Sequence, residues 1–351
     1  MMTTNDIMYM NRCLQLASFG AGYVSPNPMV GAVLVYNSKI IGEGYHQKYG
    51  KAHAEPNAIQ AVEDKTLLKK ATLYVNLEPC AHYGKTPPCA NLIVECGIPC
   101  VVIGTLDPNP QVAGRGVEIL KKAGIEVRVG VLEEECRALN KRFFTYQTQK
   151  RPYIVLKWAQ TQNGFIDKIR NNASEPPLQI SNPLTQQLAH KLRSENQSIL
   201  VGTNTAILDT PSLTVRHWSG KNPVRLILDH RRRIAVDYLE KYEQLPTIIF
   251  TEQPSDDKPN LRFVKMDFSE NVLEQLISII YDEKIHSVLV EGGAQLLNSF
   301  IEKGCWDEAY VEVAPVRNAE GVPVPVLSMQ PAGRKTVENH ECLFFQNEYI
   351  I

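Results

Sequence analysis

At 351 residues the chain exceeds the ~250–300 at which one hydrophobic core stops growing, so two domains are expected. Apolar residues make up 44% and charged residues 21%, ordinary globular values that exclude collagen-like, largely disordered and membrane-spanning classes. Thirty-seven basic against thirty-eight acidic residues leave a net charge of −1, so no overall field recruits nucleic acid or anionic lipid, and a small-molecule partner is expected.

The first twenty residues have neither a basic start nor a continuous apolar run, so they do not read as a signal peptide. Ile7, Met10, Leu14 and Ala17 recur at helical spacing, with Gly20 and Gly22 as a stop. VGAVLVY (30–36), a turn at Asn37-Ser38 and KIIGEGY (39–45) read as a β-hairpin, and HAEPNAIQAVED (53–64) as a helix that tolerates Pro56 in its first turn. TLYVNL (72–77), CANLIVECG (89–97), VVIG (101–104), GVEILKKAG (116–124) and IEVRVG (125–130) then alternate strand and helix, which predicts an α/β layer with a largely parallel sheet. One helical segment (132–146) closes the unit, and the basic, proline-marked QTQKRP (147–152) places a boundary near residue 147.

Beyond it, YIVLKWAQ (153–160), SILVG (198–202), VRLILD (224–229), PTIIF (246–250), SVLVEGG (287–293) and DEAYVEVAP (307–315) read as strands. PLTQQLAHKLRSE (183–195), NVLEQLISIIYDE (271–283) and AQLLNSFIEKG (294–304) read as helices. Two α/β domains in series follow, with no internal repeat.

Eight cysteines in a chain of this length with no export signal point to thiols or metal ligands, and the cytoplasm is the expected compartment. His53 and Glu55 form H-A-E at a helix start, Cys80 stands in E-P-C after a strand, and Cys89 opens a helix. One imidazole and two thiolates suit a tetrahedral zinc ion with its fourth position open to water, which marks a catalytic site. Zinc lowers the pKa of a water it holds to ~7. Glu55, two residues from His53, suits proton transfer better than ligation. H-x-E followed by P-C is the pattern of zinc nucleobase deaminases, although their usual C-x-x-C is replaced here by an eight-residue separation, AHYGKTPP. Taken singly, each His or Cys reads equally as packed core, and Cys96 and Cys100 are expected there. A closed structural site using one of them is the alternative.

SPNPMVGAVLV (25–35), HAE (53–55), LEPCAHYGKTPPCANLIV (77–94) and DPNPQVAGRGVEIL (107–120) closely resemble the deaminase half of the bifunctional riboflavin-biosynthesis deaminase/reductase family. KWAQTQNGFI (157–166), LRSENQSILVGTNTAILDTPSLTVR (192–216) and VLVEGGAQLLNSFIEKG (288–304) resemble its reductase half. The resemblance implies a cytidine-deaminase-like α/β/α domain (1–147) followed by a dihydrofolate-reductase-like α/β domain (148–351). It implies deamination of 2,5-diamino-6-ribosylamino-4(3H)-pyrimidinone 5′-phosphate with one zinc held by His53, Cys80 and Cys89 and with Glu55 catalytic. Asn27, His82, Lys85 and Asp107 match its substrate contacts. On the residues alone, Lys85 suits a phosphate and Asn27 a pyrimidine edge, whereas His82 could serve its own loop and Asp107 a turn.

For the second half the resemblance implies NADPH-dependent reduction of the ribosyl group to ribityl. Ala159, Thr205, Asp209 and the run Gly293, Ala294, Gln295, Leu296, Leu297, Asn298 and Ser299 match cofactor positions, while Arg193, Leu213, Arg216 and Glu291 match the sugar-phosphate positions. The T-x-x-x-D spacing from Thr205 motivates a proton-handling role for Asp209 near the nicotinamide. On the residues alone, Gly292 and Gly293 before a helix suit an anion, and two arginines suit a phosphate by bidentate hydrogen bonds. Gln179 stands where the family often has an aromatic residue. A homo-oligomer is implied by the family only. Two rival readings are a zinc deaminase of deoxycytidylate or of tRNA adenosine, the latter at odds with the balanced charge, and a zinc-stabilised binding protein, for which Glu55 would have no use.

Overall fold

The computed structural model describes residues 4–81, 88–109 and 113–347, and it divides into two units, Met1–Lys150 and Arg151–Ile351. In the first, α1 (Thr4–Ser18) precedes the hairpin of β1 (Gly31–Tyr36) and β2 (Lys39–Tyr45). Asn37 and Ser38 both take left-handed backbone (φ 47° and 60°), the geometry a two-residue turn needs to match strand twist. There follow α2 (Ala54–Ala61), β3 (Thr72–Leu77), α3 (Cys89–Glu95), β4 (Cys100–Thr105), α4 (Arg115–Lys122), β5 (Glu126–Val129), α5 (Glu133–Leu139) and α6 (Lys141–Gln149).

Strand order is β2-β1-β3-β4-β5, with β1 antiparallel to both neighbours and β3, β4 and β5 parallel. The alternating stretch from β3 to β5 is parallel, as expected, and the expected hairpin adds β1 and β2 antiparallel at one edge, so the whole sheet is mixed. Side-chain alternation sorts the core into two layers. Ala32, Leu34, Leu73, Val75, Val101 and Ile103 pack with residues of α2, α3 and α4, whereas Val33, Val35, Tyr74 and Val102 pack with α1 and Cys136 of α5. Cys96 and Cys100 pack against these cores, as expected.

The single helix expected over 132–146 is two. Asn140, buried between α5 and α6, turns its amide onto Met29, accepting its N–H at 2.8 Å and donating to its carbonyl at 2.9 Å. A side chain that hydrogen-bonds backbone elsewhere offers the chain an alternative to continuing the helix.

The second unit contains β6 (Tyr153–Thr161), β7 (Phe165–Asp167), α7 (Pro183–Glu195), β8 (Ser198–Gly202), α8 (Thr203–Asp209), β9 (Val224–Leu228), α9 (Val236–Lys241), β10 (Thr247–Thr251) and β11 (Leu261–Lys265). It continues with α10 (Val272–Asp282), β12 (Ser287–Val290), α11 (Ala294–Glu302), β13 (Glu308–Ala314), β14 (Val322–Pro323), β15 (Gly333–Val337) and β16 (His340–Gln346). Nine strands form one sheet in the order β11-β10-β9-β8-β12-β6-β13-β16-β15, parallel as far as β13 and antiparallel through β16 and β15. The start of β6 is tied to the start of β13 by a fork from Arg151 onto buried Asp307 (2.7 Å at both nitrogens), and Asp307 also accepts the Ile154 N–H at 2.7 Å.

Candidate active sites

In the first unit His53 caps α2 with extended backbone, Cys80 lies just beyond β3, and Cys89 is the first residue of α3. Their ligand atoms all lie within 4.8 Å of one another, with His53 Nδ1 3.6 Å from Cys80 Sγ and 3.4 Å from Cys89 Sγ. Tetrahedral zinc with Zn–N of about 2.05 Å and Zn–S of about 2.3 Å sets nitrogen and sulfur about 3.6 Å apart. The donor set and its spacing therefore fit one zinc ion. The Cys89 thiol, together with His53 and the Cys89 backbone N–H, holds the Cys80 sulfur as thiolate, well below the ordinary thiol range. Glu55, in the first turn of α2, is buried; loss of solvent, reinforced by the charge on Cys80, raises its pKa to about 7, the range in which a carboxyl both accepts and returns a proton.

Asn27 reaches this cluster through a residue that sequence reasoning passed over. His46 Nδ1 lies 2.9 Å from the Ala52 carbonyl, which can only accept, so Nδ1 carries the hydrogen and Nε2 is bare. Asn27 Nδ2 then donates to Nε2 at 3.2 Å, leaving Asn27 Oδ1 as an acceptor without a partner among the described residues. The buried His46 ring stands edge-on to His53, their centroids 5.3 Å apart.

Asp107 is anchored by a second overlooked residue, Glu78 of the E-P-C segment. Buried Glu78 accepts the N–H groups of Asp107 (3.1 Å), Gly114 (2.9 Å) and Val117 (3.2 Å), tying the end of β4 and the start of α4 to the loop that carries Cys80. Gly116 permits this approach, because a Cβ there would stand 2.1 Å from the Pro79 carbonyl oxygen. Asp107 itself closes a turn, its Oδ1 accepting the Asn109 N–H at 2.8 Å. His82 and Lys85 lie outside the described residues.

In the second unit β8, β12 and β6 are adjacent and parallel, and the strand order reverses around them, the place where open α/β sheets take ligands beyond the carboxyl ends of their strands. Gly202 ends β8, Glu291-Gly292-Gly293 follow β12, and Ala159 lies near the end of β6. A Cβ on Gly202 would meet nothing within 4 Å, and one on Gly293 would meet only Thr205 Oγ1, at 3.6 Å. The protein's own packing leaves these two glycines room, and Gly293 caps α11, so the cradle fits a phosphate-bearing dinucleotide.

Thr205 is thus brought beside Gly293, while Asp209, ending α8, is held by Arg170. Within the run from Gly293 through Ser299, Leu297 points into the core with Phe300, and Ser299 Oγ bonds back to the Leu296 carbonyl at 2.7 Å. Leu213 is also a core side chain, its backbone left-handed at φ 58°, so only its main chain is free for a ligand. Gln179 Nε2 bonds to the Ser181 carbonyl at 2.8 Å.

Arg193 does not present the open fork expected of a phosphate ligand. Its Nε and Nη2 lie on the Glu291 carboxylate at 3.0 and 2.6 Å, and Nη1 donates to the Thr214 carbonyl at 3.2 Å. Both charges are largely buried, and such a pair leaves the water only with a partner this well placed. Arg216 is fixed through its backbone N–H, which donates to His190 Nδ1 at 2.9 Å, and through its guanidinium on Ser212 Oγ. Burial lowers the His190 pKa to about 4, with Arg193, Arg216 and His217 adding to the effect, so Nδ1 stays a bare acceptor.

Residues 3–105 match the cytidine and deoxycytidylate deaminase zinc-binding region, and residues 152–317 match the RibD C-terminal domain. The riboflavin biosynthesis protein RibD of Aquifex aeolicus is 42% identical over 349 residues, which cover 95% of each chain. The chain belongs to the RibD family. The RibD of Escherichia coli is 34% identical, with 88% of each chain covered. A crystal structure of the diaminohydroxyphosphoribosylaminopyrimidine deaminase/5-amino-6-(5-phosphoribosylamino)uracil reductase of Thermotoga maritima superposes with a TM-score of 0.87 at 36% identity, covering 98% of this chain and 99% of that one.

Like RibD proteins, the chain is bifunctional, with an N-terminal cytidine-deaminase-like domain and a C-terminal RibD reductase domain serving riboflavin biosynthesis. Its cofactors are zinc for the deaminase and NADPH for the reductase. It acts on small-molecule pyrimidines, and among the described residues no helix is long and apolar enough to cross a membrane. His46, Glu78, Arg170 and His190 carry no motif of their own. Their roles come from partners 19 to 39 positions away in the chain that the fold brings within hydrogen-bond distance.

Proposed function

We propose that the protein removes the 2-amino group of 2,5-diamino-6-ribosylamino-4(3H)-pyrimidinone 5′-phosphate and then reduces the ribosyl group of 5-amino-6-(5-phosphoribosylamino)uracil to ribityl. The observation that carries this reading is the cluster of His53, Cys80 and Cys89 beside buried Glu55, in a chain whose second unit holds the Gly202–Gly293 cradle. His53, Cys80 and Cys89 would hold zinc, whose chemistry would be to acidify a water molecule. Glu55 would take a proton from the attacking water and return one to the departing nitrogen, so that water enters and ammonia leaves. Asn27 Oδ1 accepts from the pyrimidine edge, Asp107 lines the same site, and His82 and Lys85 complete it, with Lys85 on the 5′-phosphate.

In the reductase, bound NADPH would supply the hydride for C1′ of the ribosyl group. Ala159, Thr205, Asp209 and the backbone from Gly293 to Ser299 orient the cofactor, and the polar side chains among them provide its hydrogen bonds. Arg216, the Leu213 backbone, Glu291 and the two N–H groups left on Arg193 face the sugar phosphate. Cytoplasmic location and homo-oligomerisation belong to the same reading, and light scattering on the purified protein checks the latter. Purified protein mixed with the diaminopyrimidinone should release ammonia at once and form the ribityl product only after NADPH is added. Absence of ammonia release from zinc-loaded protein would overturn the first assignment, and absence of NADPH oxidation with the uracil substrate the second.

A further inference from the structure

The segment between β7 and α7 departs from its family's pattern at Gln179, and it is organised by a residue with no assigned role. Arg170 has a nearly inaccessible side chain (4% exposed), and all three of its guanidinium nitrogens are engaged by the protein. Nε donates to Asp167 Oδ2 at 2.7 Å, Nη2 contacts the same oxygen at 2.6 Å and also Asp209 Oδ1, and Nη1 donates to the carbonyls of Leu208 (3.2 Å) and Glu175 (3.5 Å). Asp167 in turn accepts the N–H groups of Lys168 at 2.9 Å and Leu178 at 2.8 Å through Oδ1. Both ends of the excursion are thereby pinned, and its middle is clamped to the end of α8.

We propose that Arg170 is a positioning residue of the reductase cofactor site, acting through Asp209. This rests on the reading above that Asp209 faces NADPH. With each nitrogen engaged and the side chain nearly inaccessible, Arg170 does not present itself to a ligand. What it leaves is Asp209 Oδ2, which has no hydrogen-bond partner among the described residues, on a side chain one-third exposed (33%). That oxygen can only accept while ionised, so it suits an uncharged donor of the dinucleotide, a ribose hydroxyl or the carboxamide NH₂. Arg170 also offsets a carboxylate charge that would otherwise repel the cofactor's phosphates. Asp209 then serves as an acceptor in place of the proton-handling role its spacing suggests.

The test compares Arg170→Met, Arg170→Lys, Asp209→Asn and the Met/Asn double variant in the full-length protein, by calorimetric titration with NADPH and by steady-state reduction of the uracil substrate. Arg170→Met should weaken NADPH binding about tenfold to a hundredfold, the loss of one charge-assisted contact, with KM for the pyrimidine changed less than about twofold. Arg170→Lys should recover part of this, and the double variant should bind no more weakly than the weaker single one, because both act on one contact. Asp209→Asn that weakens NADPH while Arg170→Met binds it normally would overturn the inference. Normal binding by Asp209→Asn would instead remove Asp209 from the cofactor site, and the inference with it. If Arg170→Met melts below wild type, Arg170→Lys decides by the same criterion.

Discussion

Glu78→Gln tests the view that one buried carboxylate assembles the deaminase site from three separate stretches of chain. In the native structure its two oxygens accept three backbone N–H groups, from Asp107, Gly114 and Val117, at 3.1, 2.9 and 3.2 Å. Glutamine keeps the shape but has a single acceptor oxygen. Its best orientation gives that oxygen to Asp107 and Gly114 and turns the NH₂ group towards the Val117 N–H. One charge-assisted bond is lost, worth about 1.5–3 kcal/mol, and a buried donor is left facing another donor, costing about 1–3 kcal/mol. Destabilisation of roughly 3–5 kcal/mol follows; at a urea dependence of about 2 kcal/mol/M the midpoint should fall by roughly 2 M. The deaminase unit is followed by ammonia release during urea titration. Trp158, Trp218 and Trp306 all lie in the second unit, so their fluorescence reports that unit separately. A midpoint for ammonia release within 0.3 M of wild type would refute the reasoning. A shifted midpoint with KM for the pyrimidine unchanged would show that Asp107 needs no such anchoring.

Glu55→Gln should keep its zinc, measured by atomic absorption, and lose about 10²–10⁴-fold in ammonia release, so a loss below tenfold would exclude Glu55 as the proton carrier. Stripping zinc with a chelator should abolish ammonia release and leave NADPH oxidation on supplied uracil substrate intact, and loss of both would tie zinc to more than the first site. Asp307→Ala leaves Arg151 buried without its partner and the Ile154 N–H without an acceptor, and the second unit should lose about 3–5 kcal/mol by tryptophan-monitored urea denaturation. Burial lowers the pKa of His190 and of His286 to about 4. Their folded values lie below the unfolded one, so their contribution to stability is complete above pH 6.5 and is lost as the pH falls towards about 4, at up to ~1.4 kcal/mol per pH unit for each group. His286→Gln should flatten that slope by one proton, and an unchanged slope would refute the assignment.

The metal site was legible in the sequence because its ligands come from types with few alternative uses, set at helix and strand boundaries that periodicity reveals. H-A-E marks where α2 begins and E-P-C where β3 ends, and the fold had only to bring the two together. The hairpin was equally legible, since Asn-Ser between alternating apolar residues is a local signal. The break between α5 and α6 was not, because Asn140 leaves the helix for the backbone of Met29, which is 111 positions away.

The reductase site shows where sequence reasoning stops. Glu291 and Arg193 are both visible in their segments, and each suits a ligand when taken alone. Only the fold shows that they face each other as a buried pair, leaving Arg193 two free N–H groups instead of a fork. Arg170 carries no motif in the sequence, yet it closes four hydrogen bonds, onto Asp167, Asp209 and the carbonyls of Glu175 and Leu208. Composition and spacing, with the resemblance they support, determined the class of protein, its two domains and the chemistry of its metal. Tertiary structure alone decided which side chains remain free for a ligand, because hydrogen-bond capacity is finite and a partner distant in sequence can use it up.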